Sequence, residues 1–132
     1  KSILSGYSDT NKLVNFKGDY THVGKIVNVK MDRPFGSKHP KHGFIYPVNY
    51  GYIPGLMGGD GEEQDVYILG VAEPLETFTG RIIGVVRRRD DNEDKFVAAP
   101  VGKVFTAEEI AAEIHFLEKY FDSTITSVFD GK

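Results

Sequence analysis

Apolar residues fall on alternate positions in KIVNVKMD, with Val27, Val29 and Met31 on one side and Asn28, Lys30 and Asp32 on the other. A period of two puts such a set on one face of a strand, so a half-buried strand is predicted here. The next stretch, RPFGSKHPKHG, is rich in breakers and bases and predicts a loop. FIYPVNYGYIPG is aromatic but interrupted by Pro and Gly, which predicts a short irregular or edge strand. DVYILGV has no polar face and predicts a buried strand. GRIIGVVRRR, the turn DDNED and KFVAAPVGKV together predict a β-hairpin. The period then changes. Ile110, Ile114, Leu117 and Phe121 recur at helical spacing behind Thr106 and Glu109, which form a capping box. Residues 1–24 are polar and mixed and read as a leader or an added strand, and 25–132 read as one domain. Several short strands and one terminal helix predict a mainly β fold, a small closed barrel with the C-terminal helix packed on it.

Length and composition fit that picture. A chain of 132 residues with 40% hydrophobic content can bury a core as one domain. No apolar run reaches membrane-spanning length, and KSILSGYSDTNKL lacks the apolar core of a signal peptide, so a soluble protein without a membrane partner is expected. Cysteine is absent, which excludes disulfides, thiolate metal sites and cysteine nucleophiles and fits a cytoplasmic location. A net charge of −3 argues against a nucleic-acid partner, which usually needs a basic surface.

The distribution of charge changes the picture more than its sum. Eight of the nineteen acids lie in two windows, 60–65 and 90–94. Carboxylates this close repel unless solvent or a cation offsets them. Two solvated turns would account for them. Alternatively, if the two windows met in space, they would form a nest of hard oxygen ligands for divalent cations. Lys95, two residues after Glu93, would pair with an acid or meet an anionic substrate. Tyr46, Tyr50 and Tyr52 share a parity and serve either barrel packing or a phosphate. His39 and His42 lie in a basic loop with Lys38 and Lys41, too short of N and S ligands for zinc. His22 and His115 read as structural. No P-loop, HExxH, EF-hand loop or GxSxG motif is present.

In combination these stretches resemble the soluble family I inorganic pyrophosphatases over roughly residues 26–121. YPVNYGY at 46–52 is complete. DGEEQDV at 60–66 stands where the family has D-x-D-x-x-D-V. DDNEDKFVAAP is similar to the family's second acidic hairpin, and HFLEKY to its C-terminal helix segment. MDRPFGSKHPK aligns with E-x-P-x-G-S. The resemblance implies a five-stranded OB-like closed barrel that hydrolyses pyrophosphate with Mg²⁺, or with Mn²⁺, as a homo-oligomer. By position, it implies Asp60, Glu62, Asp65, Asp90 and Glu93 as metal ligands, with Asp94 the alternative to Glu93. Glu62 and Asp65 would activate water, with Tyr50 beside them. Lys41, Lys95, Tyr50, Tyr120 and Asp32 would serve the substrate.

Three departures stand out. The family's longer hairpin after the Lys41 position, with its phosphate-binding Arg, is missing, so Arg33, Lys38 or His39 would have to substitute. Phe121 replaces a Lys and continues the apolar stripe. Glu62 replaces an Asp, and its extra methylene would shift a bound water by about 1 Å, a displacement that can cost roughly 10²-fold in rate. Two rivals remain. One is a related phosphohydrolase of another diphosphate, separable by comparing substrates. The other is a non-catalytic OB-like binding module, separable by a mobility shift with single-stranded nucleic acid.

Overall fold

The structure, a computed structural model, describes residues 21–59, 61–91 and 93–128. The predicted alternation holds in strand β1 (Ile26–Arg33), where Val27 and Val29 are buried and Asn28 and Lys30 face outward. Of the expected leader, residues 1–20 lie outside the described residues; 21–24 form a turn whose Gly24 N–H bonds to the Ile82 carbonyl.

The stretch expected to be a short irregular or edge strand is β2 (Asn49–Met57), irregular as expected but nine residues long and hydrogen-bonded to a neighbour on each side. Proline survives there because the ladder breaks. Pairing with β3 (Glu63–Ile68) shifts register between Tyr52 and Met57, and pairing with β1 reaches only Tyr52. Within that irregularity Gly55 takes a φ of 84° and gives its N–H to the Glu63 carboxylate at 2.9 Å.

The predicted hairpin forms from β4 (Thr77–Arg88) and β5 (Lys95–Ala99). The long β4 changes partners along one edge. Thr77–Arg81 pairs with β1, and Gly84–Arg88 pairs with β6 (Ser123–Ser127). Since β1 also pairs with β2, the order β1-β2-β3-β5-β4 closes into a five-stranded barrel. Among the described residues the fold is mainly β, an OB-like barrel with one helix.

That helix, α1 (Ala107–Glu118), starts on the predicted cap: Glu109 N–H donates to Thr106 Oγ1, and Thr106 N–H donates to the Glu109 carboxylate. Ile110 and Ile114 are fully buried. Two features depart from expectation. The helix does not close the chain, because β6 follows it. Phe121 lies beyond the helix rather than on its stripe, with its ring centroid 3.6 Å from the Arg88 guanidinium carbon.

Two apolar clusters result. Val29, Ile53, Val66, Ile82 and Phe96 belong to one, on the alternate strand positions that face the barrel interior. Tyr46, Tyr50, Tyr67, Val97, Ile110 and Ile114 belong to the other, between the barrel's outer face and α1. No helix of the described residues is long and apolar enough to cross a membrane.

Candidate active site

The strand period puts Asp65 on the same outer face as Tyr67, and Lys95 on the same face as Val97. Strands β3 and β5 are parallel neighbours in the register Val66–Phe96, which brings Asp65 alongside Lys95. The ammonium of Lys95 donates to Asp65 Oδ2 at 2.6 Å and to Glu93 Oε2 at 2.7 Å. The two acidic windows therefore meet, and a cation already sits between them. Tyr50 lies opposite Tyr67 in the β2–β3 ladder, and its hydroxyl reaches diagonally to donate to Asp65 Oδ2 at 2.9 Å.

These groups differ in exposure. The Lys95 side chain is 4% exposed, Glu93 13% and Asp65 25%, so the cluster is roofed on the protein side and open beside Asp65. Burial, and after it the charge of Asp65, pushes the Tyr50 phenol well above its usual pKa, so its hydroxyl stays a donor. Both bonds to Asp65 fall on Oδ2. The donors converging here are carboxylate oxygens, the ligand type that Mg²⁺ prefers.

The remaining expected residues distribute unevenly. Glu93 joins the cluster, whereas its alternative Asp94 is fully buried and accepts the Arg88 N–H at 3.3 Å. Asp90 is exposed and accepts the Asp122 N–H at 3.0 Å. Glu62 and Asp32 are exposed. Asp60 lies outside the described residues. Among the described residues, no three carboxylate or histidine groups form a ready-made metal cage. Tyr120 is half-exposed, and its ring stacks on His42 at 5.4 Å. Lys41 is exposed in the loop that carries His42.

A row of rings connects the two groups. His39 stacks on Tyr46 at 6.1 Å, and Tyr46 contacts Tyr50 at 5.9 Å. Tyr46 also shows where a further base lies. Burial raises its phenol pKa, and Arg33, acting first by its charge and then by a hydrogen bond, partly offsets that rise. Arg33 sits opposite Tyr50 in the β1–β2 ladder. The sequence offered it, with Lys38 and His39, as a substitute for the phosphate-binding Arg of the missing hairpin. Sequence reasoning missed Asn49, the Asn of YPVNYGY. It is fully buried, accepts from Phe35 and Leu75 N–H and donates to Val71 and Glu73 carbonyls, fastening two loops to β2.

Behind the cluster lies a buried ion pair. Glu118 takes two bonds from Arg88, at 3.1 and 2.6 Å, and one each from the Tyr67 and Ser123 hydroxyls at 2.5 Å. Tyr67 in turn contacts the Tyr50 ring at 5.0 Å. The end of α1, β4 and the start of β6 are thereby linked to the residue that holds Asp65.

A family model described as inorganic pyrophosphatase matches residues 18–129. The chain is similar to an inorganic pyrophosphatase of Xylella fastidiosa, at 32% identity over an alignment of 96 residues, with 58% of this chain and 52% of that protein covered. It is also similar to one of Neisseria meningitidis, at 36% identity over an alignment of 98 residues, with 58% of this chain and 55% of that protein covered. The chain thus spans about half the length of the curated relatives it matches. Among solved structures, an inorganic pyrophosphatase from Ehrlichia chaffeensis aligns with a TM-score of 0.61 at 24% identity, covering 86% of this chain and 92% of that one. One from Thermus thermophilus aligns with a TM-score of 0.58 at 19% identity, covering 83% and 86%. At those identities the structural likeness concerns the fold.

Proposed function

Because the chain belongs to the inorganic pyrophosphatase family, we propose that it hydrolyses inorganic pyrophosphate to two phosphates on the barrel's outer face, where Tyr50, Asp65, Glu93 and Lys95 meet. The observation that carries this reading is the Lys95 bridge, which unites both acidic windows beside an open carboxylate edge. The family is metal-dependent, typically on Mg²⁺. Asp60, Glu62, Asp65, Asp90 and Glu93 are the residues that would hold Mg²⁺, with Mn²⁺ as a substitute. Bound there, the ion supplies charge neutralisation for the diphosphate oxygens and acidifies a water.

The chain's own groups divide the work. Glu62, with Asp65 beside it, accepts one proton of the attacking water. Its oxygen bonds to one phosphorus while the bridging P–O bond breaks, and the electron pair leaves on the second phosphate. Tyr50 fixes Asp65 through its hydroxyl. Lys95 has three N–H groups and uses two on Asp65 and Glu93, which leaves one for a substrate oxygen. Lys41, Tyr120 and Arg33 hold the leaving phosphate, and Asp32 borders that side. The same reading carries a homo-oligomer in the cytoplasm, and the cysteine-free composition supports that location.

The test is phosphate release from pyrophosphate, with and without Mg²⁺, for the unmodified chain and Asp65→Asn. Metal-dependent release that falls by roughly 10²-fold or more in the variant is expected, the scale for removing a group that acts on the reacting atoms. No release by the unmodified chain with either Mg²⁺ or Mn²⁺ would overturn the proposal.

A further inference from the structure

In place of a long hairpin, residues 36–46 form a short one. Tyr46 N–H bonds to Ser37 O, Lys38 bridges to Ile45, and His39 N–H bonds to Phe44 O at 2.8 Å. Its tip is Pro40, Lys41, His42 and Gly43. Pro40 has no N–H. The other three amides all bond to one residue. Lys41 and His42 N–H both donate to His39 Nδ1 at 3.0 Å, and Gly43 N–H donates to the His39 carbonyl at 3.0 Å.

A single ring therefore sets the shape of the tip. It also packs against what surrounds it: His42 at 4.8 Å, Phe44 at 4.7 Å and Tyr46 at 6.1 Å. His42 carries Tyr120 on its ring at 5.4 Å. An Nδ1 that accepts two amide hydrogens carries no proton itself, so the ring is neutral with its hydrogen on Nε2. Protonation would put a hydrogen on Nδ1 facing two donors and release both amides.

We propose that His39 is a positioning residue, one that fixes Lys41 and the His42–Tyr120 pair for the substrate and lets them go when it is protonated. The inference rests on the assignment of Lys41 and Tyr120 to substrate binding made above. The surroundings agree with it. Partial loss of solvation, followed by repulsion from His42, Arg33 and Lys41, holds the His39 pKa below its usual value. The charged and titratable groups around the ring are thus His42 and Lys41 from the tip, Arg33 from β1 and the Tyr46 phenol from the hairpin's return strand. With the folded pKa depressed, the tip is fully ordered above about pH 6.5 and loosens as pH falls through the lower folded value.

Two variants and one spectrum test it. Asn keeps an acceptor oxygen where Nδ1 stands and does not titrate, so His39→Asn is expected to keep KM for pyrophosphate near that of the unmodified chain and to remove its rise in acid. His39→Leu fills the space without an acceptor. Losing two hydrogen bonds should raise its KM roughly tenfold at all pH values, with kcat within about twofold. An unchanged KM in His39→Leu, or a loss confined to kcat, would overturn the proposal. Nuclear magnetic resonance decides the same point without activity. The Lys41 and His42 amide signals should move with the His39 ring as it titrates, and amides that stay fixed through that titration would refute it. If the unmodified chain releases no phosphate, the catalytic assignment fails by that result alone, and the spectrum still decides the role of His39.

Discussion

Glu118→Gln is the substitution expected to reach deepest into this fold. Each oxygen of Glu118 accepts two hydrogen bonds, Oε1 from Arg88 Nε and Ser123 Oγ, and Oε2 from an Arg88 terminal nitrogen and the Tyr67 hydroxyl. An amide nitrogen in either place would face an Arg donor, and the charge that balances Arg88 would be gone. The Arg88 and Glu118 side chains are only 4% and 5% exposed. Breaking such a pair from one side costs about 3–5 kcal/mol. Asp91, bonded to Arg88 at 3.2 Å and 32% exposed, remains and favours the lower end, about 3 kcal/mol. That is a large part of a typical total of about 5–15 kcal/mol and should lower Tm by roughly 10 °C.

The assay is urea unfolding of the unmodified chain, Glu118→Gln, Arg88→Met, and the pair Arg88→Met with Glu118→Leu. The pair should recover part of the loss, because apolar groups of similar volume leave no buried charge behind, although the buried Tyr67 hydroxyl loses its acceptor. A Glu118→Gln protein within about 1 kcal/mol of the unmodified chain would refute the reasoning, and so would a pair as unstable as the two single losses added. The effect also has a pH signature. Burial raises the Glu118 pKa, but the hydrogen bonds and charge of Arg88, aided by Ser123 and Tyr67, hold it below the usual carboxylate value. A depressed folded pKa stabilises above the unfolded value of 4.5, and that stability is lost as pH falls through the folded value. The gap between the unmodified chain and Glu118→Gln should therefore narrow in acid.

Lys95→Met removes the cation between Asp65 and Glu93. With metal chelated it is expected to cost about 2–3 kcal/mol, less than a fully buried pair because Asp65 is 25% exposed. Millimolar Mg²⁺ should then raise its melting temperature more than that of the unmodified chain, and equal shifts in calorimetry would count against a cation site there. Gly51→Ala places a Cβ 2.1 Å from the Lys30 carbonyl oxygen, inside the β1–β2 ladder. The strands must separate, so a loss of about 3 kcal/mol or more is expected in a circular-dichroism melt, and a melt unchanged from the unmodified chain would contradict the close approach.

The elements themselves were legible because they depend on local pattern. The period of two in β1, the apolar run of β3 and the Thr106–Glu109 cap each report a preference satisfied within a few residues. The acidic windows and YPVNYGY drew notice by their composition, but local pattern left them readable as solvated turns and barrel packing, and only their combination carried the resemblance. The irregularity of β2 was legible, but its length and two-sided pairing were not, because Pro54 reads as an edge signal. Only the register break after Tyr52 lets a proline stand in a strand paired on both sides.

Tertiary structure alone decided which groups meet. Periodicity tells how exposed a residue is, but not what it touches. Lys95 follows Asp65 by thirty positions. They bond because closure of the barrel inserts β5 beside β3 as a parallel neighbour, although β4 lies between them in the chain. The same holds for Glu118, whose sequence position suggests an exposed helix end. It is buried because β6 returns along β4 and delivers Ser123 and Phe121 to the Arg88 pair. His39 becomes a scaffold rather than one more base in a loop because the hairpin folds three amides back onto it. The sequence by itself determined β1, β3, the β4–β5 hairpin and the capped helix, but not β6 or the extent of β2. The long-range pairing of the closed barrel determined their partners, since that pairing depends on contacts between distant segments that local pattern does not encode.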